Sequence, residues 1–256
     1  MELVDQLKVL RSKAQKKNIK HNCEICRDTG WIVTGIGEKS AYKKCACRIK
    51  QENIESWRRF GLDPSKVKKI NQYIVNNDTR KKAKEMAVNY IKTYEPTKSI
   101  LFAGNPGAGK SHLSIGIGAA LLEKGIAVIY MPYLEIIREL KANSMDNEYY
   151  LRLIGKYYNA KLLIIDDLFK DKVKNGKLVG TLSESDIKHI YSIINYRYNN
   201  MLSTVISTEL LPQQLIELDE ALAGRILEMC GNNIVTFEGK QYSYRLRDIK
   251  EWLGCE

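Results

Sequence analysis

The chain has 256 residues, of which 44% are hydrophobic, and a formal net charge of +11. This length allows one large domain, or a large domain and a small one, with a true hydrophobic core. Apolar stretches stay below the roughly 18 residues of a membrane span, and the first residues lack a signal-peptide pattern, so we expect a cytoplasmic protein without a membrane partner.

The positive charge lies in the first part of the chain. Residues 1–100 contain 23 Lys and Arg against 11 Asp and Glu. Such an excess indicates either an acidic partner, such as nucleic acid or an acidic protein face, or a solvated lysine-rich helix. Leu3, Leu7 and Leu10 share one face, which predicts an amphipathic helix over 1–17.

A cysteine cluster follows this helix. Four of the six cysteines pair as C-x2-C and C-x-C: Cys23, Cys26, Cys45 and Cys47. Because disulfides are disfavoured in the cytoplasm, the spacing favours a closed tetrahedral zinc site, in a segment too short to fold without metal. His21 is a competing ligand, and reduced thiols are the alternative. Cys230 and Cys255 are isolated and are interpreted as packing residues.

Beyond the cysteines we expect helices over 49–60 and 79–94, separated by a linker. Short apolar strands then alternate with helices, which predicts an α/β fold with a parallel sheet flanked by helices. The strands are predicted at 99–103, 126–130, 161–165, 203–207 and 233–237.

The most specific motif is a glycine-rich loop between the first of these strands and an apolar helix. It fits G-x-x-x-x-G-K-[ST] and contains Gly104, Asn105, Pro106, Gly107, Ala108, Gly109, Lys110 and Ser111, followed by His112. Backbone N–H groups of such a loop bind phosphate oxygens, and the helix N-terminus adds positive charge. Lys110 is predicted to reach the β- and γ-phosphates, and Ser111 to bind magnesium. A glycine turn before an ordinary helix is the less specific alternative.

Two carboxylates end the strand predicted at 161–165. Asp166 is predicted to hold magnesium through water, and Asp167 to orient and polarise the attacking water. Because aspartate is one methylene shorter than glutamate, slow hydrolysis is expected. A capping pair at a strand end is the alternative interpretation.

Further candidates lie later in the chain. Thr208 is the first choice for a residue that senses the γ-phosphate, and Glu209 is the second. Arg225, expected near a helix start, is predicted to reach the γ-phosphate of a neighbouring subunit. Arg245 is a candidate nucleotide contact or a structural residue.

Fifteen tyrosines are many for this length. Several lie beside Arg152 and Lys156, where rings and cations could bind single-stranded nucleic acid. Packing with the tyrosine hydroxyls in water is the slightly favoured alternative. The tyrosines in question are Tyr149, Tyr150, Tyr157 and Tyr158.

Taken together, these motifs resemble the DnaC/DnaI-type replicative helicase loaders, AAA+ P-loop ATPases related to the IstB-like ATPases of transposition. The resemblance covers almost the whole chain and includes Cys23-x-x-Cys26-x-Asp28-x-Gly30-Trp31, Ile165-Asp166-Asp167-Leu168, Ile206-Ser207-Thr208-Glu209-Leu210, Gly224-Arg225-Ile226 and Ser243-Tyr244-Arg245. The zinc module separates the loaders from IstB-like proteins. Glu209 departs from the family, in which many members have asparagine.

The resemblance implies a zinc-binding helicase-interaction domain at 1–60, a linker at 61–78 and an AAA+ domain without a C-terminal lid at 79–256. It implies binding of ATP, magnesium, zinc, a hexameric replicative helicase and single-stranded DNA, with self-association in the ATP state. Arg225 matches the arginine finger. The alternatives are an IstB-like transposition helper that acts on duplex DNA and a zinc-dependent adaptor that binds nucleotide without hydrolysing it.

Overall fold

The structure is a computed structural model that describes residues 20–35, 40–174 and 176–239. The helix predicted over 1–17, Cys255 and Arg245 lie outside the described residues. The chain divides into two compact units, residues 1–51 and 52–256, and this division falls nine residues before the predicted end of the first domain.

The first unit contains a two-stranded antiparallel sheet. Strand β1 (Trp31–Thr34) pairs with β2 (Ala41–Lys44), so that Trp31 lies opposite Lys44. A backbone hydrogen bond joins the residue before β1 to the residue after β2, because Cys45 N–H donates to Gly30 O over 2.9 Å. Helix α1 (Ala46–Arg58) begins directly after Cys45.

The second unit is built on a sheet of five parallel strands. The strands lie in the order β4-β5-β8-β3-β9, and their bounds are β3 Ile100–Gly104, β4 Val128–Pro132, β5 Leu162–Leu168, β8 Thr204–Thr208 and β9 Ile234–Phe237. All five predicted strands are therefore confirmed within three residues at their ends. Because parallel strands need crossover connections, helices separate them along the chain.

The helices of this unit cover both faces of the sheet. Their bounds are α2 Asp78–Lys92, α3 Lys110–Glu123, α4 Tyr133–Ala142, α5 Asn147–Asn159, α6 Glu184–Asp186, α7 Ser192–Asn199, α8 Pro212–Leu218 and α9 Glu220–Cys230. A π-helical turn, Ile187–Tyr191, joins α6 to α7. A short antiparallel hairpin follows β5 and was not predicted. Its strands, β6 (Val173–Lys174) and β7 (Lys177–Leu178), have two residues each.

Alternating side chains of each strand enter two separate cores. In β3, Leu101 and Ala103 pack with helices α4, α5 and α9, whereas Ile100 and Phe102 pack with α2 and α3. Burial on both faces explains why these strands are continuous apolar runs and not alternating ones. The three-layer α/β fold predicted from the sequence is confirmed.

The segment predicted as a linker, residues 61–78, belongs to the second unit and packs into its core. It contains a short 3₁₀ helix, Ile70–Gln72, and both Ile70 and Tyr73 are buried in the core. The Tyr73 hydroxyl donates to Ala108 O over 2.8 Å. This segment therefore contacts the glycine-rich loop and forms part of the site described below.

Buried Arg197 joins α7 to the sheet. Its guanidinium donates to Thr204 Oγ1 at 2.9 Å and to the backbone oxygens of Tyr157, Tyr158 and Ala160 at 2.9 to 3.0 Å. These oxygens lie at the end of α5, where intrahelical partners run out. No described helix combines the length and the apolar character needed to cross a membrane.

Candidate active site and metal centre

The glycine-rich loop connects β3 to α3, as its sequence predicts. Gly104 ends the strand with φ of 104°, and Gly109 precedes the helix with φ of 88°. A Cβ on Gly104 would lie 2.3 Å from Phe237 O, and one on Gly109 would lie 2.6 Å from the Tyr73 ring. Glycine is required at both positions, because the conformation is left-handed and the neighbours leave no room.

A cavity of about 430 Å³ opens over this loop. Seven of the predicted binding residues line it, those of 106–112, together with Asp167. Glu209, the second choice for the sensor residue, also lines it, and the remaining walls, which were not predicted, consist of Lys68, Gln72, Tyr73, Ile74, Arg80 and Lys170. The loop N–H groups and the start of α3 give this cavity the features of a phosphate-binding site.

Gly104 and Asn105 are not among the residues that line the cavity, but they bind Lys110, which does line it. Their backbone oxygens accept hydrogen bonds from Lys110 Nζ at 2.7 and 2.8 Å. Burial lowers the pKa of Lys110 to about 8, although the carboxylates of Glu209 and Asp167 favour its charged form. The lysine therefore lies at the base of the loop, where phosphate oxygens would replace the two carbonyls as its partners.

Nucleotide binding is expected to weaken above about pH 8, because phosphates favour the charged form of Lys110, whose pKa is about 8. Above pH 8, nucleotide binding takes up a proton on Lys110, so the Kd for the nucleotide rises by up to about tenfold per pH unit. This rise ends when the pH passes the pKa of Lys110 in the complex, which we expect near the usual lysine value of about 10.4. Lys110→Arg keeps its charge, so its Kd is expected to change little over this range. Titration with a fluorescent nucleotide measures both profiles, and parallel slopes would contradict the lowered pKa.

His112 lies on the cavity wall as predicted. Its Nε2 is 3.0 Å from Lys69 O, and its ring meets the Tyr73 ring edge-on at 5.5 Å between centroids. Burial lowers the pKa of His112, so the neutral imidazole is favoured at neutral pH. The ring can therefore contact a nucleotide without adding charge.

The two acids take different positions at the end of β5. Asp166 is 8% exposed and accepts hydrogen bonds from Tyr130 Oη at 3.0 Å and from the Ser207 hydroxyl. Asp167 lines the cavity with φ of 55°, and its N–H donates to Ser207 Oγ over 2.9 Å. The pairing of β5 with β8 shifts register between Ile165 and Leu168, which turns the second acid toward the cavity.

Of the two acids at the end of β5, Asp167 is the one that lines the cavity. Burial, and then the negative charge of Asp166, raise the pKa of Asp167. A higher pKa makes a carboxylate a better proton acceptor near neutral pH. The left-handed backbone of a non-glycine residue at this position is the kind of local strain that clusters at functional sites.

The structure places the two candidate sensor residues differently. Thr208 is fully buried, and its hydroxyl donates to Leu168 O at 2.7 Å and accepts from Leu210 N at 3.2 Å. The first choice is therefore held by the backbone away from the cavity. Glu209, the second choice, lines the cavity and forms an ion pair with Lys170.

Arg225 lies in the middle of α9, not near a helix start as expected from the sequence. Its guanidinium donates to Asn195 Oδ1 at 2.9 Å and to Ala221 O at 2.8 Å, and it lies over the Tyr191 and Tyr198 rings. It is not among the residues that line the cavity of its own chain. Its assignment as an arginine finger stays a prediction.

The tyrosines of α5 pack within the protein. Tyr157 is 3% exposed, Tyr158 stacks on Tyr196 at 4.5 Å between centroids, and the Tyr150 hydroxyl is 3.0 Å from His189 Nδ1. Tyr149 donates to Glu139 over 2.8 Å. These contacts match the packing part of that interpretation, although the hydroxyls of Tyr149 and Tyr150 bond to the side chains of Glu139 and His189.

The four cysteines of the first unit form a compact cluster. All four sulfur atoms lie within 4.8 Å of one another, with Cys23 to Cys45 at 3.8 Å and Cys26 to Cys47 at 3.3 Å. A tetrahedron with metal–sulfur bonds of about 2.3 Å has edges of roughly 3.8 Å, so the thiols fit zinc. The Gly30 N–H also donates to Cys26 Sγ over 3.3 Å, as expected around a metal-bound thiolate.

His21 takes no part in this cluster. Its Nδ1 lies 3.6 Å from Asp28 Oδ2, and the Asp28 carboxylate accepts from the N–H groups of Asn22 and Cys23. These contacts direct the histidine to Asp28, which fixes the first cysteine loop. The thiols, without His21, are the possible metal ligands.

A P-loop ATPase of the AAA+ class is defined by a glycine loop on a parallel sheet, a buried lysine and a strand that ends in two acids. Here that strand, β5, is separated from the loop strand β3 by β8. The family model for the IstB-like ATP binding protein matches residues 58–251. The chain therefore belongs to the IstB-like ATP-binding protein family, and its ATPase class agrees with the prediction.

Similar proteins come from mobile elements and from replication. The chain is 30% identical to the phage-like element PBSX protein XkdC of Bacillus subtilis, over 93% of this chain and 91% of that protein. It is 27% identical to an ATP-binding protein of insertion sequence IS21 from Pseudomonas aeruginosa, over 96% and 91%. A crystal structure of the DnaC helicase loader is similar with a TM-score of 0.58 and 26% identity, over 66% of this chain and 96% of that one.

Proposed function

We propose that this protein is an ATP-dependent loader of the replicative DNA helicase onto single-stranded DNA. The observation that carries the proposal is the combination of a P-loop ATPase unit with a cysteine cluster on its N-terminal side. The similarity to the DnaC helicase loader supports it. In this proposal, the first unit binds the hexameric helicase and the second unit binds ATP and DNA.

A helper of transposition that acts on duplex DNA is the second candidate. It is supported by the IstB-like family and by the similarity to the IS21 ATP-binding protein over 96% of this chain. Both candidates use the nucleotide as a switch, since ATP and ADP stabilise different states of an assembly. They differ in the protein partner and in the form of the DNA.

The residues around the cavity have separate tasks in hydrolysis. The loop N–H groups and Lys110 bind the phosphates, and the Ser111 hydroxyl and the Asp166 carboxylate would hold magnesium. Magnesium, when bound, supplies positive charge to the phosphate oxygens. Asp167 accepts a proton from a water molecule while the oxygen of that water attacks the terminal phosphorus. The bond between this phosphorus and the bridging oxygen of ADP then breaks.

Arg225 completes the site of a neighbouring subunit in this proposal. An arginine supplied from outside stabilises the charge that develops on the transferred phosphoryl group. ATP then favours self-association, because it is the ligand that two subunits share. Release of Arg225 from Asn195 and from the Tyr191 and Tyr198 rings accompanies the assembly.

The helicase and a transposase of the same cell separate the two candidates. We expect the full chain to retain the hexameric helicase in a pull-down with ATP, and to bind single-stranded DNA more tightly than duplex DNA. Lys110→Ala is the matched control, because it removes phosphate binding and leaves the cysteine cluster intact. Retention of the transposase and preference for duplex DNA would overturn the loader in favour of the second candidate.

The first unit is expected to hold one zinc ion through its four cysteines. Metal analysis of the purified protein is expected to give about one equivalent, and below about half an equivalent would contradict the site. Cys26→Ser is expected to lose the zinc, whereas His21→Ala, the control, is expected to keep it. Because the chain divides into two compact units, chelation is expected to unfold the first unit and leave nucleotide binding by the second.

A further inference from the structure

The cavity contains a cation that no sequence motif marks. Lys170 follows β5 by two residues, lines the cavity and forms an ion pair with Glu209. The charges of Lys170, Lys110, Asp166 and Glu209 all act on Asp167. The charge of Lys170 therefore acts on Asp167, although Lys170 lies outside both the glycine-rich loop and the Asp166-Asp167 pair.

The backbone before Lys170 is built to direct its side chain. Asp167 and Phe169 both have left-handed backbones, with φ of 55° and 59°. Phe169 is 1% exposed and packs edge-on against Tyr133 at 5.4 Å between centroids. A buried aromatic ring thus anchors a strained turn whose two ends bring Asp167 and Lys170 into the cavity, and such strain is typical of functional sites.

The two members of the ion pair are not equivalent. The Glu209 side chain is 10% exposed and the Lys170 side chain is 36% exposed. Glu209 is the buried anchor, and Lys170 is the group that keeps access to the cavity. A carboxylate alone at this position would repel a terminal phosphate, since like charges at short range in a partly buried site are unfavourable.

We propose that Lys170 is a second cation for the terminal phosphate, positioned by Glu209. The pair takes the place of an uncharged sensor residue, because Thr208 is committed to backbone partners. Lys170 acts by charge alone and exchanges no proton with the substrate. This inference rests on ATP hydrolysis at the site and is independent of helicase loading.

The first test compares triphosphate and diphosphate binding. Lys170→Met is expected to raise Kd for a nonhydrolysable ATP analogue by about tenfold and to change Kd for ADP by less than about twofold. Its kcat is expected to fall by about 100-fold, as for the loss of one preorganised donor to the transition state. Lys174→Met, an exposed lysine of the hairpin, is the matched control and is expected to behave as wild type.

A double variant separates this role from simple neutralisation of Glu209. Lys170→Met leaves Glu209 without its cation, whereas Lys170→Met with Glu209→Gln removes both charges. We expect the double variant to recover thermal stability and still to bind the two nucleotides with similar affinity. Lys170→Arg is expected to keep most of the preference for the triphosphate.

Two outcomes would overturn the role of Lys170. One is recovery of the triphosphate preference in the double variant, which would assign Lys170 to charge balance only. The other is an unchanged preference in Lys170→Met while the wild type binds and hydrolyses ATP. Neither outcome involves the helicase, so a failure of this inference is distinguishable from a failure of the loader proposal.

Discussion

Replacement of Asp167 by asparagine is expected to lower kcat for ATP hydrolysis by about 100- to 10,000-fold, the usual range for a positioned acid–base group. Asparagine tolerates the left-handed backbone at this position, where φ is 55°. Its amide is nearly the same shape but cannot accept the proton of the attacking water. The loss corresponds to about 3–5 kcal/mol of activation free energy.

Phosphate release at saturating ATP measures this loss, and Kd for ATP is measured in parallel. Kd is expected to stay within about threefold, because Asp167 is not a ligand of the phosphates. Glu217→Gln, an exposed residue of α8, makes the same charge change away from the site and serves as the control. An equal and near-zero rate in wild type and Asp167→Asn would instead support the nucleotide-binding adaptor.

Replacement of Arg197 by leucine is expected to lower the free energy of unfolding by about 3–5 kcal/mol. The arginine is fully buried and hydrogen-bonds three backbone oxygens at the end of α5. Leucine fills part of the volume but leaves these oxygens without a donor. We expect the melting temperature of the second unit to fall by about 10 °C.

Arg152→Leu is the matched control for this stability change. Its side chain is 64% exposed, and its ion pair with Glu148 spans 3.8 Å. Surface pairs of this kind contribute about 0–1 kcal/mol, so the melting temperature is expected to move by no more than about 4 °C. Equal melting of both variants would show that the carbonyl network of Arg197 adds nothing to stability.

The parts of the fold that could be read from sequence are those with local signals. The glycine loop needs left-handed residues at Gly104 and Gly109, and the strands are apolar runs because both their faces are buried. Cysteine spacing likewise brought four thiols together in one short segment. Each of these patterns expresses a constraint that acts within a few residues of the chain.

The rest of the site depends on tertiary contacts. The segment 61–78 resembles a linker in composition, yet Tyr73 reaches the loop because the core on that face has a place for its ring. Lys170 belongs to the cavity only because of two left-handed residues before it. Neither feature has a pattern of period two or 3.6 that marks it in advance.

The choice between Thr208 and Glu209 shows how fine this limit is. Thr208 is the last residue of β8 and Glu209 is the first residue after it, so an error of one residue exchanges a buried hydroxyl for a carboxylate in the cavity. The last pair of β5 with β8 is Leu168 opposite Thr208. Where the strand ends therefore follows from the pairing of two distant segments and not from either sequence alone.

The π-helical turn between α6 and α7 determines the direction in which the side chains after it point. This direction matters because Asp186, before the turn, and Arg197, after it, belong to two separate sets of contacts. Asp186, before the turn, pairs with Lys141 at 2.6 Å and Lys172 at 3.0 Å, and Arg197 lies eleven residues later. In an unbroken α-helix, residues at this spacing point only about 20° apart. The extra residue of the π-helical turn rotates the side chains of α7 by roughly 100° about the helix axis. Asp186 and Arg197 therefore contact different neighbours. Deletion of one residue from the turn would realign them and force one network to give up its partners.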